Sequence, residues 1–413
     1  MKTNYSMRNV VLFLAGQIVS LFGSSLVQCA ISWHITLETQ SGTMMTIALV
    51  CGFLPTFLVS PFAGIWADRF NRKRLIILAD ALVATATLGL AAAFWLGLRD
   101  VRLIFAVMAV RGLGQGIQQP AVSSLLPGIV PQDKLLRVNS INSSAQAAML
   151  LASPALAAVL ISFASLENIF IIDIATAAVA IVILGFFVKV KQKSAEPQPG
   201  KASYLQDLKL GLGYIAKHKL IKQLFVFSAV MSILISPIAV LYALQVTRLF
   251  GADAWRLGFA DAGFAAGMLL GGLLLTIWGG FKNKHSTMSL GMLVMSAGTV
   301  LCGVVSNFAL YIAIMVFIGV SLPIFNTPAI TLLQEKVDPD FLGRVFSLTT
   351  MLSSLAMPLG LIVFGPLADI IGLNTLFIIT GAAQLAVTLF AVLNKTIRAA
   401  GVTERAAPEE PSE

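Results

Sequence analysis

Apolar residues in this chain gather into stretches of about 20 or more, separated by short clusters of charge, glycine and proline. Such stretches recur about twelve times, centred near residues 22, 55, 86, 114, 150, 178, 235, 267, 296, 320, 357 and 385. A helix rises about 1.5 Å per residue, so roughly 20 apolar residues cover the hydrocarbon core of a bilayer. The pattern predicts an all-α integral membrane protein with twelve transmembrane helices. The loops are short except for one, near 189–222. An even number of spans places both ends of the chain on the same side.

Composition agrees with that reading. Charged residues make up 11% of the chain, against about 25% in an average soluble domain, and the mean hydropathy is +0.89. The net charge of +9 does not call for nucleic acid, because the bases sit in short turns beside apolar runs. Turns on one side hold 23 of the 28 bases, including eight lysines between Lys189 and Lys222. The opposite turns hold Arg99, Arg102, Arg248 and Arg256, and Arg111 lies inside a span. Basic turns stay in the cytoplasm, so both termini are expected there. Lys2 and Arg8 precede an apolar stretch from about Val10 to Ile35, too long for a signal-peptide core, which predicts a retained first span. Cys29, Cys51 and Cys302 lie in apolar runs without metal-ligand spacing and read as small packing residues.

The chain also repeats. Arg137-Val-Asn-Ser140 matches Arg344-Val-Phe-Ser347 at an offset of 207, and Pro120 and Pro154 pair with Pro328 and Pro358. The segment between the copies opens with Ser194-Ala-Glu-Pro-Gln-Pro-Gly200, a flexible composition. It continues with Leu205, Leu208, Leu212 and Ile215 at helical spacing, which predicts an amphipathic helix on the inner leaflet. Four parts are expected: a six-helix bundle over 1–188, a cytoplasmic linker over 189–222, a second bundle over 223–394 and a cytoplasmic tail over 395–413. Two parallel six-span repeats suit a rocking-bundle transporter with its substrate site between the halves near the midplane.

Between spans 2 and 3 stands Gly64-Ile-Trp-Ala-Asp68-Arg69-Phe-Asn-Arg72-Lys73-Arg74, with one acid and four bases in its last seven residues. This turn resembles the loop between spans 2 and 3 of the major facilitator superfamily. The segments Gln334–Ser347, Ser354-Leu-Ala-Met-Pro-Leu-Gly360 and Leu270-Gly-Gly-Leu-Leu-Leu275 resemble its macrolide-efflux branch of drug/proton antiporters. The resemblance covers nearly the whole chain. It implies the major facilitator fold, with two pseudo-symmetric six-helix bundles in a bacterial cytoplasmic (inner) membrane. It further implies proton-driven export of bulky lipophilic compounds, macrolide antibiotics among them, by a monomer in the lipid bilayer without a cofactor. Asp68 then becomes part of a cytoplasmic gate with Gly64, Arg69, Arg72 and Arg74, since a carboxylate near a helix N-terminus is stabilised by about 0.3–2 kcal/mol.

Arg111 is the sharpest single residue. Counted inward from Arg102 it lies roughly 13 Å deep, where an unpaired guanidinium costs at least about 2.5–3.5 kcal/mol. It must face the protein interior or an aqueous cavity, with an acid or backbone carbonyls as partners. Arg111-Gly-Leu-Gly-Gln-Gly116 resembles the superfamily's span-4 arginine motif, which implies a role in proton coupling. The bland alternative is an interhelical clamp, although the second repeat has Gly319 at the matching place. The glycines at 112, 114 and 116 lack the lysine of a nucleotide loop and read as sites of close helix approach.

Four acids lie in or near spans: Asp80, Asp173, Asp261 and Asp369. An acid in a low dielectric favours its neutral form, so it can bind and release a proton. Asp173 and Asp261 are the candidates for that role beside Arg111. Asp80, one turn inside the cytoplasmic end of span 3, could instead pair with nearby bases, and Asp369 reads as solvated. Gln17, Gln28, Gln115, Asn142, Gln146 and Asn326 are candidates to line a substrate cavity, with interhelical hydrogen bonding as the alternative. Around Pro154, Ser153, Ala157 and Ala158 replace the glycines of the antiporter span-5 motif, which weakens that signature.

No nucleophile–base pair or metal cluster at membrane depth supports an enzyme, and no ATP-binding motif supports primary transport. Export of an endogenous metabolite such as a siderophore or lysolipid, or passive facilitation, remain as other readings of the same fold.

Overall fold

The computed structural model describes residues 7–130, 134–188 and 204–393. The first part of the linker and the tail over 395–413 fall outside the described residues. Fourteen helices follow in order: α1 (Met7–Thr39), α2 (Gly42–Arg69), α3 (Arg72–Trp95), α4 (Val101–Ile129), α5 (Leu135–Phe163) and α6 (Leu166–Val182). Then come α7 (Tyr204–Lys217), α8 (Lys219–Ser236), α9 (Tyr242–Phe250), α10 (Ala254–Trp278), α11 (Lys284–Val304), α12 (Phe308–Lys336), α13 (Pro339–Ile371) and α14 (Leu373–Leu393). A π-helical turn, Ile183–Phe187, extends α6, and another, Pro237–Leu241, joins α8 to α9 in one span, Lys219–Phe250.

Eleven of these segments are long and apolar enough to cross a membrane. The other long helix, α4, has the length but carries Arg111, Gln115, Gln118 and Gln119 along its middle. It completes the twelve spans that the hydrophobic pattern predicts. Polar residues in the turns start the helices. Ser41, Asn71, Asp100, Asn283 and Asn307 each accept a backbone N–H of the first turn that has no intrahelical partner.

The chain forms two compact units, Met1–Gly200 with Ala243–Ala262, and Lys201–Tyr242 with Gly263–Glu413. In the first, α2 packs along α4, α1 along α5 and α6, and α3 along α4 and α6. Helices in lipid gain little from the hydrophobic effect, so close packing and hydrogen bonds must hold them. The glycines of α4 serve that need on two faces. A Cβ at Gly112 would collide with the carbonyl oxygen of Gly52, and one at Gly116 would lie 2.8 Å from that of Thr56, both on α2. Gly114 turns the other way, toward Val83 and Ala79 of α3. Thr56 Oγ1 bridges the first seam, donating to Gly112 O at 2.8 Å. In the same unit Thr247 of α9 donates to Gln40 Oε1 at 3.2 Å.

In the second unit α11 lies against α12 and α14, and α8 against α13 and α14. Met231, Met288, Met292, Phe227 and Leu332 fill its centre. The amphipathic helix α7 buries Tyr214 and Ile215 against Ile221, Val337, Val345 and Leu348, and leaves Leu210 and Leu212 exposed. Tyr214 fixes it to the start of α13: its hydroxyl donates to Asp338 Oδ2 and accepts from Asp338 N, both at 3.0 Å, and its ring stacks on Phe341.

Candidate functional site

Four helices of the first unit converge on Arg111. One Nη1 hydrogen-bond partner is Asp173 of α6, with which it forms an ion pair; the other is Thr87 Oγ1 of α3 at 2.8 Å. Nη2 donates to the carbonyl oxygen of Ser24 on α1 at 3.1 Å. Asp173 is completely buried and both its oxygens are occupied. Oδ1 accepts from Ser24 Oγ at 3.0 Å, and Oδ2 from Thr87 Oγ1 at 3.2 Å as well as from Arg111. Arg111 Nε has no hydrogen-bond partner among the described residues. Arg111 is 6% exposed, so the guanidinium sits in the helix bundle and away from lipid headgroups. A buried ion pair of this kind survives because each charge is matched and its remaining hydrogen-bonding sites are largely met.

A second polar rung lies on three of these helices, nearer the turn between α2 and α3. Asp80 is seven residues before Thr87 on α3, Gln118 seven after Arg111 on α4, and Ser20 four before Ser24 on α1. Spacings of four and seven return to one helix face. Ser20 Oγ donates to Asp80 Oδ1 at 3.3 Å and Gln118 Nε2 donates to the same oxygen at 2.6 Å. Asp80 is buried and no basic side chain pairs with it among the described residues.

The structure thus brings two of the three candidate coupling residues together. Asp261, half-buried on α10, stays outside the Arg111 cluster and is near enough to Cys29 of α1 to act on it electrostatically. Asp369 is exposed at the end of α13. Of the gate residues, the side chains of Asp68 and Arg69 lie outside the described residues. Arg72 ties three helices, donating from Nε to Ala67 O at 2.9 Å and from Nη1 to Ser124 O at 2.8 Å. Arg74 is exposed, and a Cβ at Gly64 would meet nothing within 4 Å. Gln28, Gln115, Gln146 and Asn326 are exposed, and Gln17 and Asn142 half-buried. None of these six side chains has a hydrogen-bond partner among the described residues.

Sequence reasoning missed Thr87, Ser24, Ser20 and Gln118, whose signal is the polar recurrence at seven on α3 and α4. It also passed over Lys73, whose Nζ donates to the carbonyls of Gly185 and Val188 at 2.7 and 2.8 Å. That contact closes the π-helical turn after α6, whose last carbonyls have no intrahelical partner.

Comparison with known proteins places this geometry in a family. The family model described as Major Facilitator Superfamily matches residues 13–360 and 236–411. Macrolide efflux protein A of Streptococcus pyogenes is 30% identical over 93% of this chain and 95% of its own. The multidrug efflux pump Tap of Mycobacterium bovis is 23% identical over 97% and 96%. Among solved structures, a bacterial homologue of the iron transporter ferroportin superposes with a TM-score of 0.70 at 16% identity, covering 94% of this chain and 98% of its own. The chain is a multi-pass membrane transporter and belongs to the major facilitator superfamily.

Proposed function

We propose that this transporter exports bulky lipophilic compounds, macrolides among them, in exchange for protons by alternating access. One observation carries the coupling: the Arg111–Asp173 ion pair buried in the first unit. A fixed cation in low dielectric binds its anion tightly, and a proton that changes the charge around it changes which helix contacts are stable. Arg111 and Asp173 are the centre of this coupling, and Asp261 is the further acid on its route. A passive facilitator would need no such pair, since burying two charges is often no more stable than packing apolar side chains.

The six unpartnered amides, Gln17, Gln28, Gln115, Asn142, Gln146 and Asn326, are proposed to line the substrate's path. An amide without a partner at membrane depth costs free energy unless water or a ligand meets it. Gly64, Asp68, Arg69, Arg72 and Arg74 form the proposed cytoplasmic gate, with both termini on that side in a bacterial inner membrane. The macrolide class is supported by the 30% identity with macrolide efflux protein A.

The test uses proteoliposomes with an acid lumen and a radiolabelled macrolide. Substrate should accumulate on the acid side above the level of protein-free liposomes, which report passive trapping of a basic drug. Arg111→Ala should abolish the excess. Uptake that persists after the pH gradient is collapsed would refute proton coupling.

A further inference from the structure

The two buried acids of the first unit are solvated differently. Asp173 accepts hydrogen bonds on both oxygens and faces a guanidinium, the pattern of an ionised carboxylate. At Asp80 both donors, Ser20 Oγ and Gln118 Nε2, converge on Oδ1, while the buried Oδ2 receives none among the described residues. Oδ2 has neither a donor nor an acceptor beside it there, which a neutral acid tolerates better than a carboxylate does: Oδ1 then serves as the carbonyl oxygen and Oδ2 carries the hydrogen.

Charge points the same way. The side chains that meet Asp80 from neighbouring helices are the neutral Ser20 of α1 and Gln118 of α4. The charged group whose field reaches it is Asp173 of α6, which repels a second anion. Of the bases on its own helix, Arg72 donates to Ala67 and Ser124, Lys73 donates to Gly185 and Val188, and Arg74 is exposed. Arg111 is satisfied by Asp173. A second ionised acid beside this balanced pair would carry an uncompensated buried charge, which protonation of Asp80 removes.

We propose that Asp80 is the acid that holds the exchanged proton, in a site formed with Ser20 and Gln118, and that Asp173 is the standing counter-ion of Arg111. Ser20 and Ser24 lie one turn apart on α1, roughly 6 Å, and each donates to one of the two acids. They form the hydroxyl steps by which the proton at Asp80 is linked to the Arg111 pair. Loss of the proton from Oδ2 takes the cluster from neutral to a net charge of minus one. A metal cation suits the site poorly, because one of its wall groups is the amide donor of Gln118.

Infrared difference spectra of the full-length protein in liposomes, titrated with pH, test the assignment. A carbonyl band of a protonated buried carboxylic acid should be present in wild type and fade as pH rises. It should be lost in Asp80→Asn, and in Asp173→Asn, which frees Arg111 to stabilise Asp80 as an anion, it should fade at lower pH than in wild type. A band that survives Asp80→Asn, or no such band in wild type, overturns the proposal. So does loss of the band on adding sodium at fixed pH, which would make this a cation site. Should Asp80→Asn fail to fold, wild type treated with dicyclohexylcarbodiimide should carry the adduct on Asp80; an adduct on Asp173 alone, or on neither acid, overturns it. The assignment rests on the proton-coupled reading for its use in transport, yet neither measurement needs transport. A protein that fails the pH-gradient test and still shows the Asp80 band refutes the coupling while keeping the protonated acid.

Discussion

The two repeats solve the same packing problem with different chemistry. In the first, Asp173 on α6 and Thr87 on α3 meet near the carbonyl of Ser24 on α1, with Arg111 at the centre. In the second, Gln384 on α14 donates to the carbonyl of Leu234 on α8 at 2.8 Å and accepts from Thr299 on α11 at 3.4 Å. Ser24 and Leu234, Thr87 and Thr299, and Asp173 and Gln384 stand at offsets of 210, 212 and 211. Gln384 and Thr299 are fully buried and carry no charge. Asp80 shifted by 212 is Met292, part of an apolar core. A neutral amide therefore suffices to tie these helices, and architecture alone does not account for the charge in the first repeat. The glycines sharpen the match: an offset of 207 aligns Gly112 with Gly319, which packs on Phe264 of α10 as Gly112 packs on Gly52 of α2. Arg111 then corresponds to the buried Ile318, which corrects the match to Gly319 made from the sequence by one residue.

Converting one rung into the other gives the largest expected effect. Arg111→Ile leaves Asp173 buried and unpaired, which should lower stability by about 3–5 kcal/mol and abolish pH-driven uptake. Adding Asp173→Gln copies the second repeat and should restore most of the thermal stability, measured by unfolding in detergent, without restoring uptake. If the double variant stays as unstable as the single one, the charge is architectural and the comparison fails.

The glycine seams come next. Gly112→Ala and Gly319→Ala each drive a methyl group into a facing carbonyl, with an expected cost of about 1–3 kcal/mol in either repeat. Similar losses in melting temperature would show that the two seams are mechanically equivalent; a loss confined to one would separate them. Gln384→Leu removes two neutral hydrogen bonds and should cost about 1–2 kcal/mol. Its ratio of uptake with and without a pH gradient should match wild type, because the charged rung is untouched.

What the sequence made legible follows from how local each inference is. Twelve spans need only a hydrophobic window, and the depth of Arg111 needs only the helical rise counted from Arg102. That Arg111 must find an acid or carbonyls follows from the cost of a bare cation in oil, and both kinds of partner are there, in Asp173 and Ser24. Which acid, however, depends on the rotation of α4 and α6 about their axes, and no spacing within either helix encodes it. Asp80 shows the limit most clearly. Its closeness to Arg72, Lys73 and Arg74 along the chain suggested a basic partner, but helical geometry turns Arg72 and Lys73 to other carbonyls, leaves Arg74 exposed and turns Asp80 toward Ser20 and Gln118. The exposed amides were visible as polar residues in apolar runs, yet their lack of partners emerges only once every neighbouring helix is placed.

The smallest effect on stability is expected at Gly64, and it bears on the turns at the ends of the repeats. The charged turn after α2 has a faded counterpart after α10, where Gly279 and Gly280 adopt φ of 73° and 79°. Those two glycines are conformationally required: an alanine there enters the left-handed region at a cost of roughly 1–2 kcal/mol. Gly64 is different, being helical with open space around its Cβ position. Gly64→Ala should leave stability unchanged or raise it by up to about 1 kcal/mol, since alanine is the better helix former. If the residue serves the gate, the same substitution should slow uptake several-fold, because an added methyl matters only in a state where another element closes on that surface. Unchanged uptake alongside unchanged stability would remove Gly64 from the gate and leave Arg72, with its two interhelical carbonyl contacts, as the proposed gate residue with a described structural task.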